Sequence, residues 1–236
     1  MPSVSEQAHD RLYPSLTDPN YLVLRARRLI FERWIGELEN RPLTILDLGA
    51  KYQPYRPLLE GRIGRYVALD LEKNDLVTVV GDGHALPFKD ETFDLILLTQ
   101  VLDSFADPFL GVRQMHRVLR PRGVLFASVP FVAPTFAPFE RWRFSREGIR
   151  TLMAPFERME IVPEVHSLGG LLRSLHLGAG FLLRYQAIRA LYRYSLCPVV
   201  NLLGRAVEGM HLTSDESFTP NYSVRAVKGC SPTPPA

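Results

Sequence analysis

Cysteine and net charge are both scarce in this sequence. Its 236 residues include 2 cysteines, Cys197 and Cys230, which lie too far apart in sequence to suggest a metal clasp or a disulfide framework. Two free thiols are typical of a protein in a reducing cytoplasm. The net charge is only +3, from 28 basic and 25 acidic residues, which gives little support to a general nucleic-acid-binding role. We therefore expect a cytoplasmic chain with no metal site and no nucleic-acid partner.

Segments that would carry the chain into or across a membrane are also missing from the sequence pattern. The first 20 residues include His9, Asp10 and Arg11 and contain no apolar run of the kind that marks a secretory signal. The leucine-rich stretches near the C-terminus fall short of the ~20 apolar residues that a membrane span needs. We expect residues 1–20 to be loose and the chain to stay on the cytoplasmic side.

Short apolar runs separated by helical or turn segments predict an α/β fold. The runs that read as strands are LTILDLG, RYVALD, LVTVVGD, FDLILLTQ and GVLFASVP. Strands that alternate with crossover segments indicate a parallel sheet with helices on both faces. An amphipathic helix is predicted over 21–40, and Asp107 followed by Pro108 predicts the cap and first turn of another. Ser145 is placed to cap a further helix.

The region from 171 to 212 is leucine-rich and basic. It contains the single acid Glu208 and five arginines, which are Arg173, Arg184, Arg189, Arg193 and Arg205. Near-helical apolar spacing predicts a helical insertion before a last strand at 221–228. Two roles fit this pattern: a cover that completes the core, or a lid that rests on an anionic membrane surface. The Pro-rich residues 229–236 are expected to form a disordered tail.

Three acidic residues stand at or just beyond the ends of successive predicted strands: Asp47, Asp70 and Asp82. Ligands of a doubly wound sheet bind outside the carboxyl ends of its strands, and an acid ~20 residues after the first loop can accept hydrogen bonds from a ribose. Any one of these carboxylates could instead cap a helix. All three in register favour a ligand that contains a ribose.

The first of these loops departs from a dinucleotide-binding turn. Lys51 stands two residues after Gly49, where a second glycine is expected. A pyrophosphate must approach the backbone closely at a helix N-terminus, and this requires glycine. Lys51 therefore argues against a nicotinamide cofactor more than against a cofactor without phosphate.

The order and spacing of five motifs resemble those of class I S-adenosylmethionine-dependent methyltransferases of the type 11 group. The motifs run from about Thr44 to Ile149 and are ILDLGA, YVALDLE, GDGHALPFKDETFDLIL, QVLDSFADP and RVLRPRGVLFASVPF. The resemblance implies a single methyltransferase domain with a cofactor-binding core over 43–165. It implies a Rossmann-like, doubly wound, mostly parallel sheet with an antiparallel last strand and a helical C-terminal insertion. The implied cofactor is S-adenosylmethionine.

The same resemblance assigns cofactor-binding roles to residues of the first two strand ends. It places Gly49 and Ala50 against the methionine part of the cofactor, with Asp47 holding the loop. Asp70 would bind the ribose, and Leu71 would cover one face of the adenine.

Further along, Asp82 and Gly83 would lie near the adenine amino group, and Gln100 would line the boundary between cofactor and acceptor. His84 adjoins Asp82, but this position is more often an ordinary loop residue than a catalytic one.

The residues that would act on the acceptor are less clearly marked. Relatives often have Glu-His where this chain has Asp103-Ser104, and another His where it has Thr135, so the resemblance identifies no general base. Asp103 is a candidate, with a surface turn as the alternative. The segment ERWRFSREGI resembles one found in members near glycan and lipid biosynthesis, and its Trp142 and Arg143 would lie where the acceptor enters. Arg143 could bind an anion or pair with Glu140.

Three functions remain open on sequence grounds. The first is methyl transfer to a small-molecule, glycan or lipid-linked acceptor, with peripheral membrane contact through 171–212. The second is a nicotinamide-dependent oxidoreductase, which the residue Lys51 disfavours. The third is a methyltransferase-like chain that has lost activity and serves as a binding or scaffold subunit. The sequence identifies neither the acceptor atom nor the oligomeric state.

Overall fold

The computed structural model describes residues 3–135, 137–182, 185–210 and 214–230. Its strands are β1 (Leu43–Leu48), β2 (Ile63–Asp70), β3 (Val79–Val80), β4 (Phe93–Thr99), β5 (Leu119–Pro130), β6 (Arg158–Pro163) and β7 (Asn221–Val227). Its helices are α1 (Val4–Leu12), α2 (Tyr21–Gly36), α3 (Pro108–Val118), α4 (Arg146–Leu152), α5 (Ser167–Leu182), α6 (Gln186–Tyr194) and α7 (Leu196–Gly209).

The strands form one sheet in the order β3-β2-β1-β4-β5-β7-β6. The last strand, β7, runs antiparallel to both β5 and β6, whereas the other neighbouring pairs are parallel. This topology confirms the predicted Rossmann-like, doubly wound sheet. The third strand is shorter than its apolar run, because only Val79 and Val80 pair with β2. Sequence patterning does not single out β6, whose side chains are only partly buried.

Helices cover both faces of the sheet, and each face has its own apolar core. Leu46 belongs to the core that includes residues of α3 and α4, whereas the preceding Ile45 belongs to the core beneath α2. Successive side chains of a strand point to opposite faces, which explains the division. Phe31 and Trp34 of α2 pack against Phe126 of β5, with ring centroids 5.7 and 5.3 Å apart.

The expectation of a loose N-terminal segment is wrong for residues 4–12, which form α1. Ser3 and Glu6 make a capping box: the Ser3 side chain accepts a hydrogen bond from Glu6 N–H, and the Glu6 carboxylate accepts one from Ser3 N–H. At the other end of the helix, Leu12 is fully buried in the core beneath α2. One cap and one buried anchor are enough to hold this short helix on the domain.

The other predicted caps are present, with small differences in helix length. The Asp107 carboxylate accepts a hydrogen bond from Leu110 N–H at 3.0 Å, and the Ser145 hydroxyl accepts one from Gly148 N–H at 3.2 Å. Helix α2 ends at Gly36 and not at residue 40.

The predicted insertion at 171–212 is made of α5, α6 and α7, which precede β7 in the chain. Residues 183, 184, 211 and 212, which include Arg184, and residues 231–236 of the expected tail lie outside the described residues. Arg173 is buried, and its Nε donates a hydrogen bond to Asn20 Oδ1 at 3.1 Å, so it faces neither solvent nor a membrane surface. None of the helices described here is both long and apolar enough to cross a bilayer.

Candidate functional site

The sequence-predicted site residues lie at the carboxyl edge of the parallel strands. Leu48, the last residue of β1, pairs with Leu69 of β2 on one side and with Leu98 of β4 on the other. Gly49 and Asp70 therefore follow directly at neighbouring strand ends, and Gln100 follows two residues after Leu98. This edge is where a doubly wound sheet binds its ligands.

The loop after β1 requires glycine at its first position. Gly49 has a φ of +79°, and a Cβ added there would lie 2.2 Å from Val101 Cγ2. The N–H groups of Gly49 and Ala50 both donate to the Leu69 carbonyl, at 2.8 and 3.1 Å. Backbone bonds to β2 thus fix the turn tightly beside the end of β4.

Asp47 is buried beneath this loop, and its carboxylate faces β2. Its Oδ2 accepts a hydrogen bond of 2.6 Å from the Tyr66 hydroxyl. Burial raises the pKa of Asp47 to about 6, with the Tyr66 hydrogen bond opposing the rise and the nearby Asp70 charge adding to it. The loop itself is held by backbone hydrogen bonds to the Leu69 carbonyl, and the predicted role of Asp47 in holding the loop stays a prediction.

Lys51 turns away from the sheet edge toward solvent. Its ammonium lies 3.1 Å from Glu72 Oε2, and this hydrogen bond, followed by the Glu72 charge, raises the pKa of Lys51. The Lys51 carbonyl accepts a hydrogen bond from the Asn74 side chain at 3.0 Å. The lysine therefore ties the loop after β1 to the loop after β2.

Asp70 ends β2 and Leu71 follows it, so one polar and one apolar side chain stand at this strand end. Asp70 is half-buried, and its Oδ1 accepts a hydrogen bond from Glu72 N–H at 3.1 Å. Leu71 is 70% exposed, which is unusual for a leucine beside a core strand. Together they offer an acceptor for hydroxyl groups and an apolar surface for a flat ring.

His84 is a structural link between two loops. Its Nδ1 lies 2.6 Å from Asp82 Oδ1, and its Nε2 lies 3.2 Å from Asp107 N. Because the backbone N–H must donate to Nε2, the ring proton lies on Nδ1 and is donated to Asp82. The His84 backbone N–H also bonds Asp82 and lowers the pKa of that carboxyl. Gly83 lies against the Phe105 ring, where an added Cβ would come within 2.3 Å.

Gln100 connects the sheet edge to a buried polar network. It has a φ of +56°; its N–H donates to the Ser128 carbonyl at 2.8 Å and its amide to Ser128 Oγ at 2.9 Å. The Ser128 hydroxyl in turn donates to Glu164 Oε1 at 2.5 Å. Glu164 is held by Arg27 of α2, through Nε at 2.7 Å and Nη2 at 2.9 Å. No sequence signal marks this network, because Arg27 and Glu164 are 137 residues apart.

The predicted acceptor-side residues Asp103 and Trp142 lie together. The Asp103 carbonyl accepts hydrogen bonds from the N–H groups of Arg141 and Trp142, at 2.7 and 3.1 Å. Asp103 Oδ1 is buried and has no hydrogen-bond partner within the described chain, and burial raises the pKa of this carboxyl. The Trp142 indole N–H donates to the Phe105 carbonyl at 2.8 Å. Asp103 is thus a buried carboxyl group, not a surface turn acid.

Arg143 has its guanidinium committed to its own segment. Nη2 bonds the Pro134 carbonyl at 2.8 Å and Glu140 Oε2 at 2.6 Å, and Nε bonds the Ala133 carbonyl at 3.2 Å. The ion pair with Glu140 is therefore present, and Arg143 acts as a brace for the residues after β5. No cluster of metal-ligating side chains occurs in the ranges that the structure describes.

Part of the chain is similar to known methyltransferases. Residues 46–127 match a protein family described as a methyltransferase domain. A demethylmenaquinone methyltransferase from Renibacterium salmoninarum is 33% identical over 152 residues, or 60% of this chain and 62% of that protein. The chain spans between 25% and 62% of the length of the first curated relatives that it matches.

Two solved structures show the same fold at low sequence identity. An S-adenosylmethionine-dependent methyltransferase from Archaeoglobus fulgidus has a TM-score of 0.52 and 14% identity, over 86% of this chain and 94% of that one. A phosphoethanolamine N-methyltransferase from Haemonchus contortus, in complex with S-adenosylhomocysteine, has a TM-score of 0.52 and 15% identity, over 94% of this chain and 60% of that one. Residues 46–127 are therefore similar to a methyltransferase domain, and the chain shares the Rossmann-like fold of these two structures.

Proposed function

We propose that this protein transfers a methyl group from S-adenosylmethionine to a small-molecule acceptor. The observation that carries the proposal is the register of β1, β2 and β4, which brings Gly49, Asp70 and Gln100 to one edge of the sheet. The match of residues 46–127 to a methyltransferase domain supports the same reaction.

The residues at this edge fit the cofactor. Among the described residues, only the Glu72 N–H donates a hydrogen bond to the Asp70 carboxylate. Asp70 therefore retains acceptor capacity for both ribose hydroxyls. The exposed Leu71 side chain would cover one face of the adenine, and Asp82 with Gly83 would adjoin its amino group. Lys51 points to Glu72 and leaves the turn at Gly49 and Ala50 unobstructed. In this proposal Asp47 supports the turn from beneath.

The cofactor supplies a methyl group already activated on a sulfonium, so the protein has to align the acceptor and exclude water. Alignment of this kind contributes on the order of 7–11 kcal/mol to a barrier. Gln100, fixed by two hydrogen bonds to Ser128, would set the boundary between donor and acceptor.

A general base is needed only if the acceptor must lose a proton. Asp103 is the residue we nominate, because its buried carboxyl has an unpartnered oxygen and a raised pKa. Trp142 would line the acceptor entry. Arg143 would hold the residues after β5 in position through its hydrogen bonds to Ala133, Pro134 and Glu140.

We propose a lipid-linked, quinone-like ring as the acceptor class. The support is the 33% identity with a demethylmenaquinone methyltransferase over 152 residues. Such an acceptor would be reached at a membrane surface, through contact of residues 171–212 with lipid. A nucleic-acid acceptor is not proposed, given a net charge of +3.

Calorimetric titration of the purified chain and an assay of methyl transfer together separate the three functions. We expect saturable binding of S-adenosylmethionine and S-adenosylhomocysteine and no binding of NADH. Mass spectrometry of reactions with reduced, demethylated naphthoquinones should then show a product heavier by one methylene. Cofactor binding without turnover of any acceptor tested would favour the binding-subunit alternative, and binding of NADH alone would overturn the proposal.

A further inference from the structure

Helices α2 and α7 meet at a cavity lined by three arginines. The cavity has a volume of about 350 Å³, and Arg25 and Arg28 of α2 line it together with Arg205 of α7. The remaining lining residues are Tyr13, Pro14 and Tyr21, so no acidic side chain faces the cavity. Three positive charges around one small cavity repel each other, and an anion bound between them would offset this repulsion.

The hydrogen-bonding capacity of these arginines is largely unused. Arg28 Nε is buried and has no hydrogen-bond partner in the described part of the chain; its nearest carboxylate oxygen, Glu32 Oε1, is 3.8 Å away. The Arg28 guanidinium lies over the Tyr13 ring, 5.0 Å from its centroid. Neither Arg25 nor Arg205 makes an ion pair with any residue that the structure describes. The cavity therefore presents guanidinium groups, which are well suited to bind phosphate oxygens.

Close contact of the two helices builds this cavity. A Cβ added at Gly204 would lie 2.5 Å from Leu22 Cδ1, so the absence of a side chain at Gly204 lets α7 lie close to α2 at this point. Arg205 follows directly and is thereby brought beside Arg25 and Arg28.

An exposed apolar surface continues from the cavity along α7. We define the α7 apolar surface as Leu196, Val199, Leu202 and Leu203 of α7 and Met210 directly after it, each of which is at least 48% exposed. Spacings of three and four residues place these side chains on one side of the helix, and Leu202 precedes Arg205 by one turn. The neighbouring α6 buries none of its side chains and exposes Leu191 by 68%. Contiguous apolar surface of this kind marks an interaction site.

Charge decides which partner fits. From 185 to 210 the sequence has three arginines and one acid, Glu208, which is bonded to His166 through both carboxylate oxygens. A second copy of the chain on this surface would bring arginine against arginine. An anionic lipid surface instead accepts the apolar side chains and neutralises the guanidinium groups.

We propose that the arginine cavity and the α7 apolar surface dock together on an anionic phospholipid bilayer, with one lipid phosphate bound by Arg25, Arg28 and Arg205. Helix α7 lies in the plane of the interface with its apolar side chains among the acyl chains. This inference specifies the lipid contact proposed above for residues 171–212, but it does not depend on methyl transfer, because vesicle binding is measured without cofactor or acceptor.

Vesicle co-sedimentation tests the docking. The probes are phosphatidylcholine vesicles with and without phosphatidylglycerol as about one third of the lipid, at low and physiological salt. We expect binding only with the anionic lipid, and weaker binding at the higher salt. The combined variant Arg25→Gln, Arg28→Gln, Arg205→Gln should lower vesicle affinity by about 10- to 100-fold. The control variant Arg65→Gln, Arg150→Gln, Arg158→Gln removes three positive charges from exposed sites elsewhere on the protein. It should lower vesicle affinity much less than the first variant does.

A second variant and two further measurements keep the test decisive. Leu196→Gln, Val199→Gln, Leu203→Gln changes exposed side chains only and should abolish sedimentation while leaving the melting temperature and S-adenosylhomocysteine affinity unchanged. Equal binding to both vesicle types, or equal losses in the arginine variant and its control, would overturn the proposal. A dimer detected by sedimentation velocity in the absence of lipid would also overturn the proposal, if the variant Leu196→Gln, Val199→Gln, Leu203→Gln dissociated that dimer. Tight binding of inorganic phosphate without vesicle binding would assign the cavity to a soluble phosphate and contradict membrane docking.

Discussion

The Tyr66 hydroxyl and the Asp47 carboxylate share a hydrogen bond of 2.6 Å beneath the loop after β1. Burial raises the pKa of Asp47 to about 6, although the Tyr66 hydrogen bond favours the ionised form. The folded protein thus keeps a proton on Asp47 at pH values where the unfolded chain, with a pKa of about 3.9, has lost it. The stability contributed by this group falls as pH rises from about 4 to about 6 and stays low above that range.

Asp47→Asn should remove this pH dependence while preserving an acceptor for Tyr66. The compared quantity is the free energy of unfolding of the variant minus that of the wild type. We expect this difference to be about 2 kcal/mol larger at about pH 7.5 than at about pH 4.5. Urea denaturation of both proteins without cofactor at the two pH values measures the difference. A difference between variant and wild type that is the same at both pH values would contradict the assigned pKa.

Gly49 and Gly61 form a matched pair for testing the loop after β1. Both have a positive φ, +79° and +81°, but an added Cβ would lie 2.2 Å from Val101 at Gly49 and within 4 Å of nothing at Gly61. Gly61→Ala should cost about 1 kcal/mol of stability from backbone strain. Gly49→Ala should cost about 1–3 kcal/mol more from overpacking and should weaken S-adenosylhomocysteine binding. Thermal and urea unfolding measure the costs; equal costs at the two positions would show that the close contact with Val101 is absent.

Much of this fold could be predicted because its signals are local. The apolar runs at β1, β2, β4 and β5 and the caps Asp107 and Ser145 depend on residues a few positions apart, and the structure contains each of them. The antiparallel last strand was accessible only through family resemblance, since β7 and β6 come together from 221–227 and 158–163.

The contacts of individual polar side chains could not be predicted, because their partners are distant in sequence. Arg27 is one of several arginines in α2, and only the fold shows that it is buried against Glu164. Arg143 and Asp103 look equally exposed in the sequence; the structure commits the guanidinium to neighbouring carbonyls and buries the carboxyl. The orientation of the Lys51 side chain depends on its ion pair with Glu72, which belongs to the loop after β2.

Asp70 should provide the main polar contact to the cofactor ribose. A charge-assisted hydrogen bond contributes about 1.5–3 kcal/mol, so Asp70→Ala should weaken S-adenosylhomocysteine binding at least about tenfold by calorimetry. Asp75→Ala is the control, since Asp75 is an exposed acid in the loop that follows β2. Unchanged affinity in a folded Asp70→Ala protein would remove Asp70 from the site.

Lys51 should be tolerated by the cofactor site and not required by it. Its ammonium is bonded to Glu72, so Lys51→Gly should keep or improve S-adenosylhomocysteine affinity. Glu72→Gln, which releases the ammonium without shortening the side chain, should change affinity little. A loss of about tenfold or more in Lys51→Gly would mean that the ammonium turns to bind the carboxylate of the donor.

The buried pair of Arg27 and Glu164 should be the most costly polar interaction to break. Glu164 has a fully buried side chain, and it accepts hydrogen bonds from Ser128, Asn221 and Ser223 as well as from Arg27.

Removing one partner leaves a buried charge, so Glu164→Gln should lower the free energy of unfolding by about 3–5 kcal/mol. The combined variant Arg27→Met, Glu164→Gln should recover part of this loss, because no charge is then left alone. The exposed pair of Arg150 and Glu147 is the control, and Glu147→Gln should cost at most about 1 kcal/mol. Urea denaturation of the wild type and the three variants gives these values; a loss for Glu164→Gln as small as that for Glu147→Gln would show that water reaches the pair.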